Sequence, residues 1–271
     1  MSTRLDVALV QRGLAPTREK AKAAITAGLA YVNGMNDVKP STPVDENDAV
    51  EVRGVAVHYV GRGGLKLEKA LAVFGIDLTG AACIDVGAST GGFTDCMLQA
   101  GAARVTAIDV GHGQLDPKLS GDTRVTSLEG TDVRTVTPEL IGGAADFASV
   151  DVSFISLGKV MPAVAGLLAE GAGAVLLVKP QFEAGPELVG KKGVVKDPQV
   201  HRDVLARVLF EAREAGLVPQ GLDFSPIKGG EGNIEYLLYA VKQSGGKALA
   251  GSLAALDVRS VVENAYAGLV K

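Results

Sequence analysis

The segment from Cys83 to Val110, CIDVGASTGGFTDCMLQAGAARVTAIDV, constrains the fold of this chain most strongly. An apolar run ending at Asp85 leads into glycines, then into an amphipathic stretch, then into a second apolar run ending at Asp109. This order predicts a strand, a tight loop, a helix and a second strand. Because ligands bind such units outside the carboxyl ends of the strands, we expect the loop and the two carboxylates to face a ligand.

The glycine spacing distinguishes three kinds of nucleotide site. A P-loop requires Gly-x4-Gly-Lys-Ser/Thr, but Gly91 is followed by Gly92 and Phe93. A dinucleotide fingerprint requires Gly-x-Gly-x-x-Gly, but Gly87 is followed by Ala88 and a serine. The remaining interpretation is a loop that binds S-adenosylmethionine (SAM). The alternative is a glycine-rich turn without a ligand, and the carboxylates at consecutive strand ends argue against it.

Three acidic residues are candidate contacts for this cofactor. We expect Asp85 to receive its amino group, directly or through water, and Asp109 to bind its ribose hydroxyls. Asp132, after the third predicted strand, is either an adenine contact or a helix N-cap. The predicted cofactor-binding residues are Asp85, Gly87, Ala88, Ser89, Thr90, Gly91, Gly92, Phe93, Asp109, Val110 and Asp132.

Length and composition limit the class of protein. A chain of 271 residues, 47% of them hydrophobic, suggests one large domain, with or without a small one. Two cysteines and three scattered histidines predict neither a disulfide framework nor a metal site, so a reducing cytoplasm is expected. The charged, amphipathic start of the sequence does not resemble a signal peptide.

One apolar span, residues 160–178, is about long enough to cross a bilayer. Glu170 interrupts it next to glycines, so we favour a buried helix ending near Glu170 and a buried strand from Ala174. Apolar runs continue to alternate with helical stretches as far as residue 242. The large domain is therefore predicted to be an α/β, Rossmann-like, mostly parallel sheet with helices on both faces.

The first 36 residues form a separate, basic segment with five basic and two acidic side chains. Their pattern predicts a helix over 3–13, a second helix after Thr17, and a strand that turns at Asn33-Gly34 into a partner strand. This is a small α+β domain, and its basic helix either contacts a phosphate backbone or is simply solvated. The run RLDVALVQRGLAPTREKAKAAITAGLAYVNG resembles the αL RNA-binding motif of ribosomal proteins, pseudouridine synthases and tyrosyl-tRNA synthetases.

Four polar residues near predicted strand ends are candidates for catalysis: Lys66, Asp151, Lys179 and Glu235. The loop DVSF, which begins at Asp151, lacks the prolines typical of amino methyltransferases, and a hydroxyl acceptor would need a base. A buried Lys179 near a second ammonium would lose its proton more easily, so it is the candidate base. The alternatives are that Lys179 is a solvated lysine at a strand end and that Glu235 is a charged residue at the edge of the sheet.

A resemblance connects these four residues. They are similar to the Lys-Asp-Lys-Glu tetrad of FtsJ-type RNA ribose 2′-O-methyltransferases. More narrowly, GRGGLKL, GASTGGFTD, VSFISL, LVKPQFE and GNIEYLL resemble the TlyA family, often labelled haemolysins. That resemblance implies an RNA-binding domain over 1–56, a linker over 57–62 and a SAM-dependent methyltransferase domain over 63–271. It also implies a cytidine ribose of ribosomal RNA as the acceptor.

The expected RNA-binding residues are Arg4, Arg18, Lys20, Lys22, Arg62, Lys191 and Lys192. The predicted linker departs from the family, since VHYV stands where Arg-x-Trp-Val is expected and Gly61 replaces a serine. A membrane-lytic protein would need a long apolar or amphipathic segment, and a non-catalytic RNA-binding factor would have lost the lysines. The sequence leaves open the modified nucleotide, the ribosomal subunit, the choice between free RNA and assembled subunit, and the oligomeric state.

Overall fold

The computed structural model describes residues 2–15, 17–26, 29–36, 38–52, 59–243 and 256–270. The chain divides into two compact units, residues 1–58 and 59–271. The domain boundaries at 56 and 63 stay predictions, and Val57 and His58 of the predicted linker lie outside the described residues.

The first unit combines two helices with two short antiparallel strand pairs. Its elements are β1 (Thr3–Arg4), α1 (Leu5–Gln11), α2 (Arg18–Thr26), β2 (Ala30–Val32), β3 (Pro43–Val44) and β4 (Val50–Val52), with β1 paired to β3 and β2 to β4. Leu5, Leu9 and Ile25 from the two helices form its core with valines of the strands. The helix α2 begins after Thr17 as predicted, whereas α1 is shorter than the predicted helix over 3–13, because Thr3 and Arg4 pair with β3.

The predicted turn after β2 is present, but its predicted partner strand is wrong. Asn33 and Gly34 have the positive φ angles, 52° and 82°, that such a turn requires. Beyond the turn, Met35 makes only an isolated bridge to Val32 and is 68% exposed. The strand β4 pairs with β2 instead, because its valines can pack against the core whereas Met35 lies in solvent.

The second unit is an alternating α/β structure. Its elements are α3 (Gly63–Phe74), β5 (Ala82–Val86), α4 (Gly92–Gln99), β6 (Arg104–Ile108), α5 (Pro117–Ser120), β7 (Val125–Leu128), β8 (Ala145–Val150), α6 (Met161–Leu167), β9 (Leu168–Val178), α7 (Pro180–Glu183), α8 (Pro198–Glu214), β10 (Leu217–Phe224), β11 (Tyr236–Lys242) and α9 (Val258–Leu269). Short 3-10 turns lie at Val133–Thr135, Leu157–Lys159 and Pro186–Leu188.

Within the described part of this unit, seven strands form one sheet in the order β10-β11-β9-β8-β5-β6-β7. The neighbours from β9 to β7 run parallel, whereas β11 is antiparallel to both β9 and β10. The chain leaves β5 in one direction along the sheet and β8 in the other, so the strand order reverses between them. Crevices at such a reversal are the usual ligand sites of open α/β sheets.

Both faces of the sheet are covered, as the sequence predicts. On one face, Leu67 of α3 and Met97 of α4 pack against Phe147 and Val175 of the sheet. On the other face, side chains of α6, α8 and α9 pack against the alternate residues of the same strands. This double burial explains the nearly continuous apolar runs of the central strands.

The apolar span at 160–178 divides earlier than predicted. The helix α6 ends at Leu167 and β9 begins at Leu168, not at Ala174. Leu168 pairs with Ala145 of β8, so backbone pairing extends the strand. Its carbonyl also accepts a hydrogen bond from Nζ of the Lys242 side chain at 2.5 Å. Glu170 is tolerated there because its side chain is exposed. Among the described residues, no helix is both long and apolar enough to cross a membrane.

Candidate active site

The glycine loop after β5 is fixed by its contacts with the loop after β8. Gly87 has a φ of 83°, and a Cβ added there would lie 2.4 Å from the carbonyl oxygen of Asp151. The N–H groups of Gly87 and Ala88 both donate to the carbonyl of Ile108, at 2.8 and 3.2 Å. Only glycine fits this position, because both the backbone conformation and the space exclude a side chain.

Gly91 and Gly92 are needed for packing as well. A Cβ on Gly91, whose φ is 92°, would lie 2.2 Å from a methyl group of Leu119. A Cβ on Gly92 would lie 3.1 Å from the backbone nitrogen of Gly64. Gly92 lines the smaller of the two clefts described below, whereas Gly91 lines neither, so the cofactor contact of Gly91 stays a prediction beside this packing role.

Asp109 lies directly after β6 and faces a cleft of about 360 Å³. Its Oδ2 accepts a hydrogen bond from the N–H of Ser89 and its Oδ1 from the N–H of Gly111, both at 2.7 Å. Backbone N–H groups of the glycine loop and of the loop after β6 therefore fix the carboxylate. Each oxygen keeps a lone pair that can accept from a ribose hydroxyl.

Asp132 takes its predicted role as an N-cap, and its contact with adenine stays a prediction. It is the N-cap of the 3-10 turn at Val133–Thr135, where it accepts from the N–H of Arg134 at 3.0 Å. The side chain of Arg134 also pairs with it and lowers the pKa of Asp132 to about 2. Asp132 lines the same cleft as Asp109, so a capped and ionised carboxylate is available there.

Asp85 does not line either cleft. It is fully buried, and its oxygens accept hydrogen bonds from the hydroxyls of Thr94, at 2.7 Å, and Ser149, at 3.0 Å. Burial raises the pKa of Asp85 to about 6, although the two hydroxyls favour its charged form. Its contact with the cofactor, directly or through water, stays a prediction. Asp85 joins β5 to α4 and β8 behind the loop.

The residues around the larger cleft fit SAM. Apolar side chains of Ile108, Val133 and Ile155 line it together with Asp109 and Asp132. Such a lining suits a flat base and a ribose, and the predicted Val110 lies on the same wall. The predicted Gly87 and Ser89 line both this cleft and a smaller one of about 230 Å³, while Ala88, Thr90, Gly92 and Phe93 line the smaller one.

The smaller cleft brings the four candidate catalytic residues together. Nζ of Lys179 lies 2.6 Å from Oδ1 of Asp151 and donates to the hydroxyl of Ser153 at 2.9 Å. Nζ of Lys66 lies 2.6 Å from Oε2 of Glu235. Both contacts are ion pairs between oppositely charged side chains.

Each pair is largely buried, and each contributes to the wall of the cleft. Lys66 and Asp151 line it directly, and Lys179 is 8% exposed behind Asp151. Glu235 lies so close to Gly229, another lining residue, that a Cβ there would be 2.5 Å from its Oε1. A residue of α3 thus meets the residues that directly follow β8 and β9 and the one that directly precedes β11, in an arrangement suited to orienting a hydroxyl and accepting its proton.

The predicted RNA-binding residues fall into two groups. Arg4 and Arg18 both pair with the buried Asp6, at 3.0 and 2.9 Å, and remain about half exposed; Lys20 and Lys22 are exposed as well. The hydrogen bond from Arg4, with those from Arg18, lowers the pKa of Asp6 to about 2. The second unit carries the others: Arg62 is exposed at the rim of the smaller cleft, and Lys191 and Lys192 are exposed on a loop.

Several cleft residues were not predicted from the sequence. They are Val86, Ile108, Gln114, Thr131, Val133, Val152, Ser153, Phe154, Ile155 and Val160 in the larger cleft, and Gly61, Gly63, Ile227, Lys228, Gly229 and Gly230 in the smaller one. The paired glycines of IKGGEGN are a turn signal that could have indicated the second group. Phe154 stands out only in the structure, where its side chain is 91% exposed and its φ is 63°.

Comparisons with known proteins define the class. Residues 59–242 match the FtsJ-like methyltransferase family, and residues 3–50 match the S4 domain. The chain therefore belongs to the FtsJ-like methyltransferases and carries an S4 domain before the catalytic one. The predicted α/β methyltransferase fold and the predicted use of SAM are confirmed.

More specific similarity covers nearly the whole chain. It is 46% identical over 242 residues to the 16S/23S rRNA (cytidine-2′-O)-methyltransferase TlyA of Mycobacterium tuberculosis, covering 89% of this chain and 90% of that protein. It is 39% identical to hemolysin A of Brachyspira hyodysenteriae, covering 88% and 99%. A solved structure of a candidate hemolysin from Streptococcus thermophilus superposes with a TM-score of 0.76 at 45% identity, covering 98% and 96%. The predicted resemblance to the TlyA family is confirmed.

Proposed function

We propose that this protein transfers a methyl group from SAM to the 2′-hydroxyl of a cytidine in ribosomal RNA. The observation that carries the proposal is the pair of buried ion pairs, Lys179–Asp151 and Lys66–Glu235, beside the glycine loop. The substrate named for the TlyA relative supports the choice of acceptor. A protein acting on ribosomes works where ribosomes are, so the predicted cytoplasmic location accompanies this proposal.

Asp109, Asp132 and the loop from Gly87 would hold the cofactor. When bound, SAM supplies an activated methyl group, so the chain has only to orient the acceptor and remove its proton. Nζ of Lys179, in its neutral form, would accept the proton of the 2′-hydroxyl as the methyl group passes to that oxygen from the sulfonium sulfur, which would leave as a neutral thioether. Asp151 holds Lys179 at the cleft.

The second ion pair orients the ribose. Lys66 donates hydrogen bonds from the wall of the cleft, and Glu235 fixes its ammonium at 2.6 Å. Both side chains lie almost completely out of solvent, which strengthens the directional effect of their charges. This division of roles leaves Lys179 for proton transfer and Lys66 for placement.

Phe154 offers a surface for the base of the acceptor nucleotide. Its ring is exposed and lies on the wall of the larger cleft. It packs on the ring of Phe182, with the two ring centroids 5.0 Å apart. Unstacked RNA bases bind to aromatic rings in this way. A positive φ in a bulky residue is strained, and such strain is found mainly where function requires the position.

The first unit would bind RNA through its exposed basic helix. Arg18 of α2 is exposed too, but Asp6 offsets its charge, so Lys20 and Lys22 are the residues to change. Changing both to glutamate should weaken RNA binding and reduce its salt dependence, with SAM affinity unchanged. Lys39→Glu, an exposed lysine of the same unit outside this helix, is the matched control.

The function is tested by transfer of a tritiated methyl group from SAM to 30S subunits, 50S subunits and free ribosomal RNA. We expect label in RNA with the native protein and none with Lys179→Ala. The lytic alternative predicts leakage of liposomes by the native protein without methyl transfer. The non-catalytic alternative predicts RNA binding without label in any substrate.

A further inference from the structure

The side chain of Asn233 links the strand that follows Glu235 to a distant loop. It is 0% exposed, and its Oδ1 accepts a hydrogen bond from the N–H of Val195 at 3.0 Å. Its Nδ2 donates to the carbonyl of Gly193 at 2.8 Å. The backbone carbonyl of Asn233 also accepts from the N–H of the cleft residue Gly229 at 2.9 Å. One buried amide thus connects the loop to the wall of the active site.

His201 holds the same loop from a second side. Its Nε2 lies 3.0 Å from the carbonyl of Val195, and its Nδ1 lies 2.7 Å from the hydroxyl of Tyr236. A carbonyl can only accept, so Nε2 carries the hydrogen and Nδ1 accepts from the phenol. Burial lowers the pKa of His201, which agrees with this neutral form. Val195 is therefore bound at both its N–H and its carbonyl by groups anchored on β11.

The loop held in this way is basic. It is closed by hydrogen bonds from the N–H of Gly190 to Val194 and from the N–H of Gly193 to Gly190, at 3.1 and 2.8 Å. Lys191 and Lys192 lie between these bonds with exposed side chains. Two cations on a closed, anchored loop have a fixed position relative to β11, whereas the same residues on a free loop would lose more entropy on binding.

We propose that Asn233 is a positioning residue that sets Lys191 and Lys192 at a fixed distance from Glu235, so that both lysines bind backbone phosphates of the RNA in the cleft. The inference rests on the proposed function and identifies the ligand chemistry as phosphodiester. Phosphate contacts set the register of a protein on a nucleic acid. Register here means which ribose reaches Lys179.

The test is the salt dependence of binding to a ribosomal RNA fragment that the native enzyme methylates. A lysine–phosphate contact to single-stranded RNA contributes about 0.7 to the slope of log K against log salt concentration. The double variant Lys191→Ala/Lys192→Ala should lower the slope by about 1.4. Asn233→Ala should lower it by a similar amount although it removes no charge, and adding it to the double lysine variant should produce no further decrease.

In the Asn233→Ala background, the lysine substitutions should therefore not lower the salt slope any further. If the lysine substitutions lower the salt slope equally in the native and Asn233→Ala proteins, the proposal is overturned, because the lysines would then act independently of Asn233. Lys159→Ala, an exposed lysine outside the loop, should have the same effect in both backgrounds whatever its size. SAM affinity and the thermal midpoint report whether the variants are folded.

His201→Phe supplies a second route to the same test if Asn233→Ala does not fold. It keeps a ring in the buried site and removes the hydrogen bond to Val195, so it should also reduce the cost of the lysine substitutions. Additive costs with this variant would contradict the proposal. Absence of methyl transfer by the native protein would refute the proposed function, whereas additive costs in an active enzyme refute only the role of Asn233.

Discussion

Lys179 and Asp151 lie at the ends of neighbouring parallel strands, with the ammonium 2.6 Å from the carboxylate. The hydroxyl of Ser153 is the second partner of the ammonium, at 2.9 Å. Because Asp151 lines the smaller cleft, this triangle places one potential base next to the wall of that cleft. The parallel pairing of β8 with β9 sets the distance between the two side chains.

Replacing Lys179 should abolish chemistry without affecting binding. Lys179→Ala should fold and bind SAM, because its role is in the cleft, but its methyl transfer rate should fall by about 10²–10⁴. Lys179→Arg should fail almost as severely, since a guanidinium does not release its proton in the working range. Single-turnover rates across pH measure this, and the native rate should rise with pH and then level off. An active arginine variant would limit Lys179 to electrostatic placement.

Loss of Asp109 should weaken cofactor binding. Asp109→Ala removes hydrogen bonds to a charged group, worth about 1.5–3 kcal/mol, or roughly tenfold or more in affinity. Titration calorimetry with SAM is the measurement. Asp122→Ala is the control, because Asp122 pairs with Arg124 and lines neither cleft. Equal affinities for the two variants would disprove the assignment of Asp109.

Gly87→Ala should damage both the fold and the site. Its Cβ would lie 2.4 Å from a backbone oxygen, which cannot rotate away as a side chain can. Gly75 has a similar positive φ, 63°, with nothing within 4 Å of a Cβ, so Gly75→Ala should cost only the conformational strain of about 1 kcal/mol. Thermal unfolding should show a clearly larger loss for Gly87→Ala. Equal losses would mean that the loop can move away from Asp151.

Asp85 should make the free energy of unfolding decrease as pH rises, which is the opposite of what a carboxylate with a lowered pKa does. Its pKa is raised from 3.8 to about 6, so the folded state holds a proton that the unfolded state releases. Native stability should therefore decrease as pH rises from about 4 to about 6, by up to about 3 kcal/mol from this group. In chemical denaturation, the stability of Asp85→Asn relative to native should improve over that window. A difference that does not change with pH would contradict the burial argument.

The two aspartates of the glycine-loop unit show how far the sequence leads. Apolar periodicity and glycine placement are local signals, so β5, α4 and β6 could be predicted, and Asp109 lies at the larger cleft. Asp85 has an equally suggestive position, but the pleat of β5 turns its side chain towards Thr94 and Ser149. Which face a strand-end residue occupies depends on register, and a spacing pattern does not specify it.

The ion pair of Lys66 and Glu235 shows a different limit. The two residues lie on α3 and next to β11, and only the pairing of β11 with β9 brings them to one edge of the sheet. No local signal contains that pairing, so the sequence could group the four residues only through family resemblance. Asn233 was missed for the same reason, because its partners on the basic loop become neighbours only after folding.

Mapping of 2′-O-methyl groups in ribosomal RNA tests the central claim most directly. Ribosomal subunits treated with SAM and native protein should gain a cytidine whose 3′ linkage resists alkaline hydrolysis, and those treated with Lys179→Ala should not. Contradiction would come from a methyl group on a base instead of a ribose, or from no new modification in either subunit or in free RNA.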